Sequence, residues 1–378
     1  MTSNLNPMLK WAGGKEQELK HIHPAMPKDF DRYFEPFVGG GSVYFSIGLN
    51  NKKIINDKSD ELIRLYKCVA EKNSNFFEVM EEIIHNWNLL EKITLNNGVE
   101  LISIYQDFAG RTSSHAELKN RIAEFIITHS KEFNGMFSRQ FNFDIENFIC
   151  ELNKCLLNKI ARMKVIELSR GTLPDSDILE NLEAAIKAAF YTHFRHIYNN
   201  FEKYRVESSF QAAIFFFIRN FAYSGMFRYN SSGKFNVPYG GIGYNRKNME
   251  KKLTYLKSQE LNDYLCETQI SNLDFDDFFK EFKPTKNDFI FLDPPYDSEF
   301  STYGTNEFNR DDQARLARYL TKECPANWMI VIKNTPFIFE LYNKSHLNVS
   351  SFSKKYLVSF QNRNDKNAEH LIIRNYSH

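Results

Sequence analysis

The sequence predicts an open, mostly parallel α/β sheet whose chain is interrupted by a long helical insertion. Three observations carry that prediction. Short apolar strands alternate with helical patterns up to about residue 70. Strand-like alternation nearly vanishes from about 72 to 222. β/α alternation then resumes from about 266. Strand–helix–strand order favours parallel pairing, because a crossover helix returns the chain to the same end of the sheet.

Arg32-Tyr33-Phe34-Glu35-Pro36-Phe37 reads as the first strand, running into Gly39-Gly40-Gly41-Ser42, with a helix expected from about Val43. Lys53-Ile54-Ile55-Asn56-Asp57 reads as the second strand, followed by a helix through Leu62, Leu65 and Val69. In the middle stretch apolar residues recur at helical spacing: Phe76, Phe77 and Met80; Ile122, Phe125 and Ile126; Leu179, Leu182, Ala185 and Ile186; Phe210, Ile214, Phe217 and Ile218. Gly171 and Pro174 punctuate it. Further on, Asp288-Phe289-Ile290-Phe291-Leu292-Asp293 has the length and apolarity of a central strand buried on both faces. Arg310 to Leu320 is an amphipathic helix, Met329-Ile330-Val331-Ile332 another buried strand, and Val349–Phe360 with Glu369–Arg374 a terminal strand pair. The expected division is an α/β domain from 1–70 and 262–378, with a mainly helical domain at 71–261 carrying a hairpin near 226–240.

Bulk composition excludes several classes. The 378 residues are 42% hydrophobic and 25% charged, ordinary for a globular protein. No apolar run reaches the roughly 18 residues of a membrane span, and Met1–Lys10 lacks the apolar core of a secretory signal. The five cysteines are scattered without a CxxC pair, which suits reduced structural thiols in a cytoplasmic protein. No metal is expected; His21 and His23 are either a metal pair or ordinary surface histidines. Net charge is only +1, yet Lys203–Lys257 holds ten Lys/Arg against two acids. That segment is either a footprint for a phosphate backbone or a solvated basic face.

Asp293-Pro294-Pro295-Tyr296 is the sharpest feature. It ends a buried strand, where active sites of open α/β sheets lie. Consecutive prolines fix the backbone and remove two N–H donors. A carboxylate, a rigid carbonyl and an aromatic face then converge, which is the set a planar aminopurine needs. Its NH2 donates to Asp293 and the Pro294 carbonyl while its ring stacks on Tyr296. The plain alternative is a strand ended by a Pro-Pro turn. Phe34-Glu35-Pro36-Phe37-Val38-Gly39-Gly40-Gly41-Ser42 is a glycine-rich turn that lets a ligand approach the backbone. It is neither G-x-G-x-x-G nor a Walker A, which excludes a P-loop nucleotide hydrolase. Asp57 ends the second strand, where it either accepts from ribose hydroxyls or caps the next helix.

Together these blocks resemble the Dam-like DNA adenine-N6 methyltransferases, including the adenine methyltransferases of restriction–modification systems. The likeness rests on Leu9-Lys10-Trp11-Ala12-Gly13-Gly14-Lys15, Glu35–Ser42, Asn56-Asp57, Gly225–Gly240, Asp274-Phe275 and Asp293–Tyr296, in family order. The resemblance implies a class I methyltransferase sheet with an inserted target-recognition domain, S-adenosylmethionine as cofactor and double-stranded DNA as partner. It also implies a bacterial or phage-encoded, nucleoid-associated enzyme of the cytoplasm, with a cognate restriction endonuclease as a further functional partner. By the same resemblance Trp11, Lys15, Phe37, Gly39, Gly40, Gly41 and Ser42 line the cofactor site, as do Asp57, Asp274, Phe275 and Asp293. Asp276 and Asp277 offer a second alignment for Asp274. Tyr303 falls in a loop matching the one that closes over the target base.

Arg228 to Tyr239 resembles the recognition hairpin, with Asn230-Ser231-Ser232-Gly233 as its turn. Arg228, Tyr229, Asn230, Lys234 and Asn236 are groups able to reach phosphates and base edges; an exposed hairpin for a protein partner is the other reading. Compact family members have roughly a hundred fewer residues between about 72 and 205. No family residue maps there, and the target sequence stays open. Three rivals remain: the same chemistry on cytosine N4, the same chemistry on RNA, and a DNA-binding protein without catalysis. The family usually marks cytosine N4 with Ser in place of the first Asp, and the catalytic and glycine motifs are both intact.

Overall fold

The computed structural model describes residues 5–11, 13–48, 51–110, 113–137, 141–296, 308–355 and 367–377. The chain divides into two compact units, Met1–Lys72 with Leu256–His378, and Asn73–Tyr255.

The first unit is built on seven strands: β1 (Arg32–Glu35), β2 (Lys52–Asn56), β3 (Thr268–Ser271), β4 (Phe289–Leu292), β5 (Asn327–Lys333), β6 (Asn348–Lys355) and β7 (Asn367–Arg374). Their order is β3-β2-β1-β4-β5-β7-β6. The first five pair in parallel, while β7 runs antiparallel to β5 and to β6. All four residues of β4 are buried, as a strand covered on both faces requires. One face of the sheet packs Phe34, Ile290, Ile330 and Leu371 against Phe278, Leu316 and Ile338 from the helices Phe275–Phe282, Arg310–Lys322 and Pro336–Tyr342. Ser59 caps the helix Asp60–Ala70, which returns the chain after β2.

One expected element is corrected. The helix from about Val43 is a single 3-10 turn, Tyr44–Ser46, and Ile47 is already extended. The contacts there are tertiary: the Tyr264 hydroxyl shares its one proton between the carbonyls of Tyr44 and Ile47, the latter at 2.9 Å, and so competes with the N–H groups a continuing helix would bring to them.

The second unit is helical, with long helices at Ser74–Asn96, Ile145–Arg170, Asp175–Tyr198 and Ser208–Phe221. Its core is aromatic: Trp87 and Phe221 have ring centroids 4.3 Å apart, and Phe190 and Phe194 4.7 Å. Such offset and tilted pairs add to area burial.

Candidate active site and recognition hairpin

Strand order places the site of the first unit. From β1 the chain proceeds to β2 and β3 on one side, and β4 lies on the other side, followed by β5. The loops after β1 and β4 therefore flank the point where strand order reverses, where open α/β sheets form a ligand crevice. The glycine turn follows β1 and Asp293–Tyr296 follows β4.

Asp293 and Tyr296 are half-buried, Pro294 is buried and Pro295 is exposed. Lys15, 2% exposed, donates from Nζ to Asp293 Oδ2 at 2.5 Å, to the Gly13 carbonyl at 3.0 Å and to Tyr296 Oη at 3.3 Å. Its ammonium also lies 5.6 Å from the Tyr296 ring centroid. The Pro295 carbonyl accepts from Gln313 Nε2 at 2.7 Å, which ties the motif to the helix Arg310–Lys322. Tyr296 meets His370 of β7 edge to face, centroids 5.5 Å apart. Below this group, buried Glu35 accepts from Tyr33 Oη at 2.6 Å. Burial drives the Glu35 carboxyl well above the usual range; the Tyr33 hydrogen bond opposes that, and the Asp293 charge reinforces it.

The glycine turn is shaped by its own neighbours. A Cβ on Gly39 would lie 2.7 Å from Trp11 Cδ1, one on Gly40 3.1 Å from Trp11 Cβ, and one on Gly41 2.6 Å from Tyr66 Oη. Gly39 and Gly41 also have φ of +50° and +78°. The close approach that requires glycine here is protein on protein. Ser42 is half-buried.

Asp57 is half-buried and accepts two backbone N–H groups, Gly39 on Oδ2 and Ser59 on Oδ1, both at 2.9 Å. Burial holds its carboxyl above the usual range, although these two bonds oppose the shift. Because Ser59 is the helix cap, the capping role considered for Asp57 is excluded. Its carboxylate retains lone pairs for further donors. Neighbouring Asn56 bonds Leu273 through both its amide groups, at 2.8 and 3.0 Å, joining the carboxyl ends of β2 and β3.

Phe37, Phe275 and Phe308 form a ring cluster with centroids 5.5–5.9 Å apart. Asp274 caps the helix Phe275–Phe282. Arg315 bonds Asp274 at 3.2 Å, Asp276 at 2.6 Å and Asp312 at 2.9 Å, and lies 4.6 Å from the Phe275 ring. Burial pushes the Asp274 carboxyl up, but the Asp276 amide and the Arg315 guanidinium outweigh it and hold it low. Asp274 and Asp276 thus share one arginine. The half-buried acid at the end of β2 and the aromatic cluster of Phe37, Phe275 and Phe308 form a set that fits a nucleoside, the acid for its hydroxyls and the rings for its base.

Gln313, Arg315 and Phe308 were not singled out from sequence, and Asn56 entered only as part of the Asn56-Asp57 block, with no role of its own. For Gln313 and Arg315 the only local signal is the capping box of Asn309 and Asp312, which starts their helix. His21 stacks on Phe352 at 4.7 Å, and among the described residues no cluster of metal-ligating groups occurs. Tyr303 lies outside the described residues.

In the second unit, Arg228–Asn236 forms a narrow hairpin. Asn230 N–H donates to the Lys234 carbonyl at 2.8 Å, Asn236 N–H to the Arg228 carbonyl at 3.1 Å, and Tyr229 bridges Phe235. Asn230 Oδ1 accepts from the Ser232 and Lys234 amides, closing the turn. Arg228, Asn230 and Lys234 are exposed, and Tyr229 and Asn236 are half-buried. Arg228 Nε donates to Asn236 Oδ1 at 3.3 Å, and the Tyr229 and Tyr198 hydroxyls are 2.8 Å apart. Part of the basic segment is used internally: Arg219 is buried 4.4 Å from the Phe227 ring, and Arg246 pairs with Glu183 at 2.6 Å.

The chain matches the family described as D12 class N6 adenine-specific DNA methyltransferase over residues 11–143 and 132–359. It is 25% identical to a Type II methyltransferase of Paramecium bursaria Chlorella virus NC1A, over 98% of this chain and 100% of the relative. It is 23% identical to the DNA adenine methylase of Haemophilus influenzae, over 89% and 82%. It is 31% identical to the Retron Ec67 DNA adenine methylase of Escherichia coli, over 42% and 53%.

Proposed function

The chain belongs to the D12 class N6 adenine-specific DNA methyltransferases, and from that premise we propose which atoms do the work. S-adenosylmethionine is the methyl donor and a flipped adenine in duplex DNA the acceptor. The observation that supports this reading most is Asp293, set at the end of β4 beside Tyr296 and bonded by buried Lys15. Asp57 is assigned to ribose hydroxyls, the Phe37–Phe275 cluster to the donor's adenine, and the turn after β1 with Trp11 to its methionine end. When bound, S-adenosylmethionine supplies an electrophilic methyl group on a sulfonium.

The protein's own residues prepare the acceptor. An adenine inside a duplex must first leave the stack, at a cost of a few kcal/mol. The amine lone pair is delocalised into the ring, so nitrogen is a poor nucleophile. Asp293 accepts a hydrogen bond from one N6 N–H. The second acceptor is the Pro294 carbonyl, while the neighbouring Pro295 carbonyl accepts from Gln313 and anchors the motif. Two acceptors favour a pyramidal nitrogen with a directed lone pair, and Tyr296 holds the ring by stacking. As nitrogen gains the methyl group it loses one proton, which Asp293 takes. The Lys15 ammonium balances the Asp293 charge beside buried Glu35. Arg228, Asn230 and Lys234 contact DNA from the hairpin. The setting is a Dam-like or restriction–modification system in the cytoplasm, with any cognate endonuclease a functional partner.

The test uses S-adenosylmethionine labelled on the methyl group, duplex DNA and purified protein, followed by digestion to nucleosides. Label in N6-methyladenine is expected. Label in N4-methylcytosine, or only in RNA offered alongside, would overturn the assignment of the acceptor.

A further inference from the structure

The helix Asp175–Tyr198 carries an unusual polar row. Glu183, Lys187, Tyr191 and Arg195 recur every fourth residue, and Asn199 is the C-cap. Residues four apart form one inclined ridge on a helix surface. Along this ridge lies the irregular segment from Phe235 to Arg246, running antiparallel to the helix. Asn199 Oδ1 accepts from the Phe235 N–H at 2.8 Å, and its Nδ2 donates to the Phe235 carbonyl at 2.9 Å. Arg195 and Tyr191 both donate to the Val237 carbonyl, at 3.0 and 3.1 Å. Lys187 donates to the Asn245 carbonyl at 3.0 Å, and Glu183 accepts from Arg246 at 2.6 Å.

The chemistry explains the row. The 235–246 stretch carries only isolated bridges and one 3-10 turn, so its backbone groups lack regular sheet or helix partners. Side chains supply them. Lys187 is fully buried, a position tolerated because Glu183 pairs with it at 2.7 Å. Asn199 uses both amide groups on one residue, the pattern a neighbouring strand would offer. Its rung holds the second hairpin strand at Phe235, next to exposed Lys234. Tyr198, one residue earlier, bonds Tyr229 on the first strand.

We propose that this polar ladder fixes the recognition hairpin in position, and that Asn199 is a positioning residue for reading target DNA. The proposal rests on the hairpin being the DNA reader. It also accounts for part of the region beyond the compact family pattern, because the helix Asp175–Tyr198 becomes the bed of the hairpin.

The test needs a duplex carrying the sequence context that the wild-type protein methylates, found by single-molecule sequencing of DNA it has modified. Asn199→Leu removes both bonds at similar volume, and Asn199→Asp keeps only the acceptor. For Asn199→Leu, KM for the duplex should rise about tenfold, with a smaller rise for Asn199→Asp. Discrimination against duplexes changed at one base should fall. kcat at saturating DNA and the Kd for S-adenosylmethionine should stay within about twofold. Unchanged KM and discrimination in a folded Asn199→Leu protein would overturn the proposal. If that variant does not fold, Tyr191→Phe, which removes one of two donors to Val237, must show the same split at smaller size, and no split overturns it. An Arg228→Ala, Lys234→Ala double variant is measured in parallel. If it binds DNA as the wild type does, the hairpin reading fails and the ladder proposal falls with it. If it weakens DNA binding while Asn199→Leu does not, only the positioning role falls.

Discussion

Replacing Gly41 by Ala adds one methyl group where two separate costs meet. The residue sits at φ +78°, and the new Cβ would lie 2.6 Å from Tyr66 Oη and 2.9 Å from two carbons of the Phe45 ring. Left-handed backbone costs a residue with a Cβ about 1–2 kcal/mol. Overpacking a filled site adds about 1–3 kcal/mol. The sum is roughly 2–5 kcal/mol, a large fraction of a domain's stability. Gly13→Ala separates the two contributions, because Gly13 has φ +82° and a Cβ there would meet no atom within 4 Å. It should lose only the backbone part, about 1–2 kcal/mol. Urea unfolding of both variants, with the m-value checked against wild type, measures the difference. Because Tyr66 and Phe45 lie behind the turn, Gly41→Ala should also weaken S-adenosylmethionine binding by displacing it. If the two variants agree within about 0.5 kcal/mol, the steric reasoning about the turn is wrong.

Two further outcomes follow from the same geometry. Lys15→Met removes the ammonium shared by Asp293 and Tyr296, so kcat should fall about 10–100-fold with donor Kd nearly unchanged; a raised Kd at intact kcat would place Lys15 in the donor site instead. In the second unit, burial lowers the His193 imidazole to about 3 from an ordinary 6.5. It is neutral when folded, whereas the unfolded chain takes up a proton below about 6.5. The unfolded state therefore binds more protons between those values, and stability falls as pH drops through that window, by about 1.4 kcal/mol per unit. His193→Asn should flatten this slope between pH 6 and 4.5 in thermal unfolding, and an unchanged slope would contradict the burial argument.

The central strands were legible because their burial is complete: Phe289–Leu292 and Met329–Ile332 are apolar without interruption, and both lie in the middle of the sheet. β3 was not, since Thr268-Gln269-Ile270-Ser271 is an edge strand with only Ser271 buried, and neither an apolar run nor strict alternation marks it. The helix expected after Val43 failed because a distant hydroxyl, Tyr264, competes for its carbonyls. At the candidate site, Asp293-Pro294-Pro295-Tyr296 was legible because its four residues are contiguous and follow an apolar strand. Residues that act by reaching across the fold were not. Gln313, 18 positions after Pro295, and Asn199, 36 before Phe235, look like ordinary helix residues until the fold supplies their partners. The glycine turn was legible, but the close approach expected there was a ligand's, whereas Trp11, Phe45 and Tyr66 crowd its backbone from within the protein.

Asp293, as the carboxylate that prepares the adenine amine, is the centre of the proposed chemistry. Asp293→Ala, assayed by quantifying N6-methyladenine in duplex DNA and by titrating S-adenosylmethionine, addresses it directly. Methylation should be abolished while donor binding persists. Methylation at near wild-type rate in that variant would contradict the assignment.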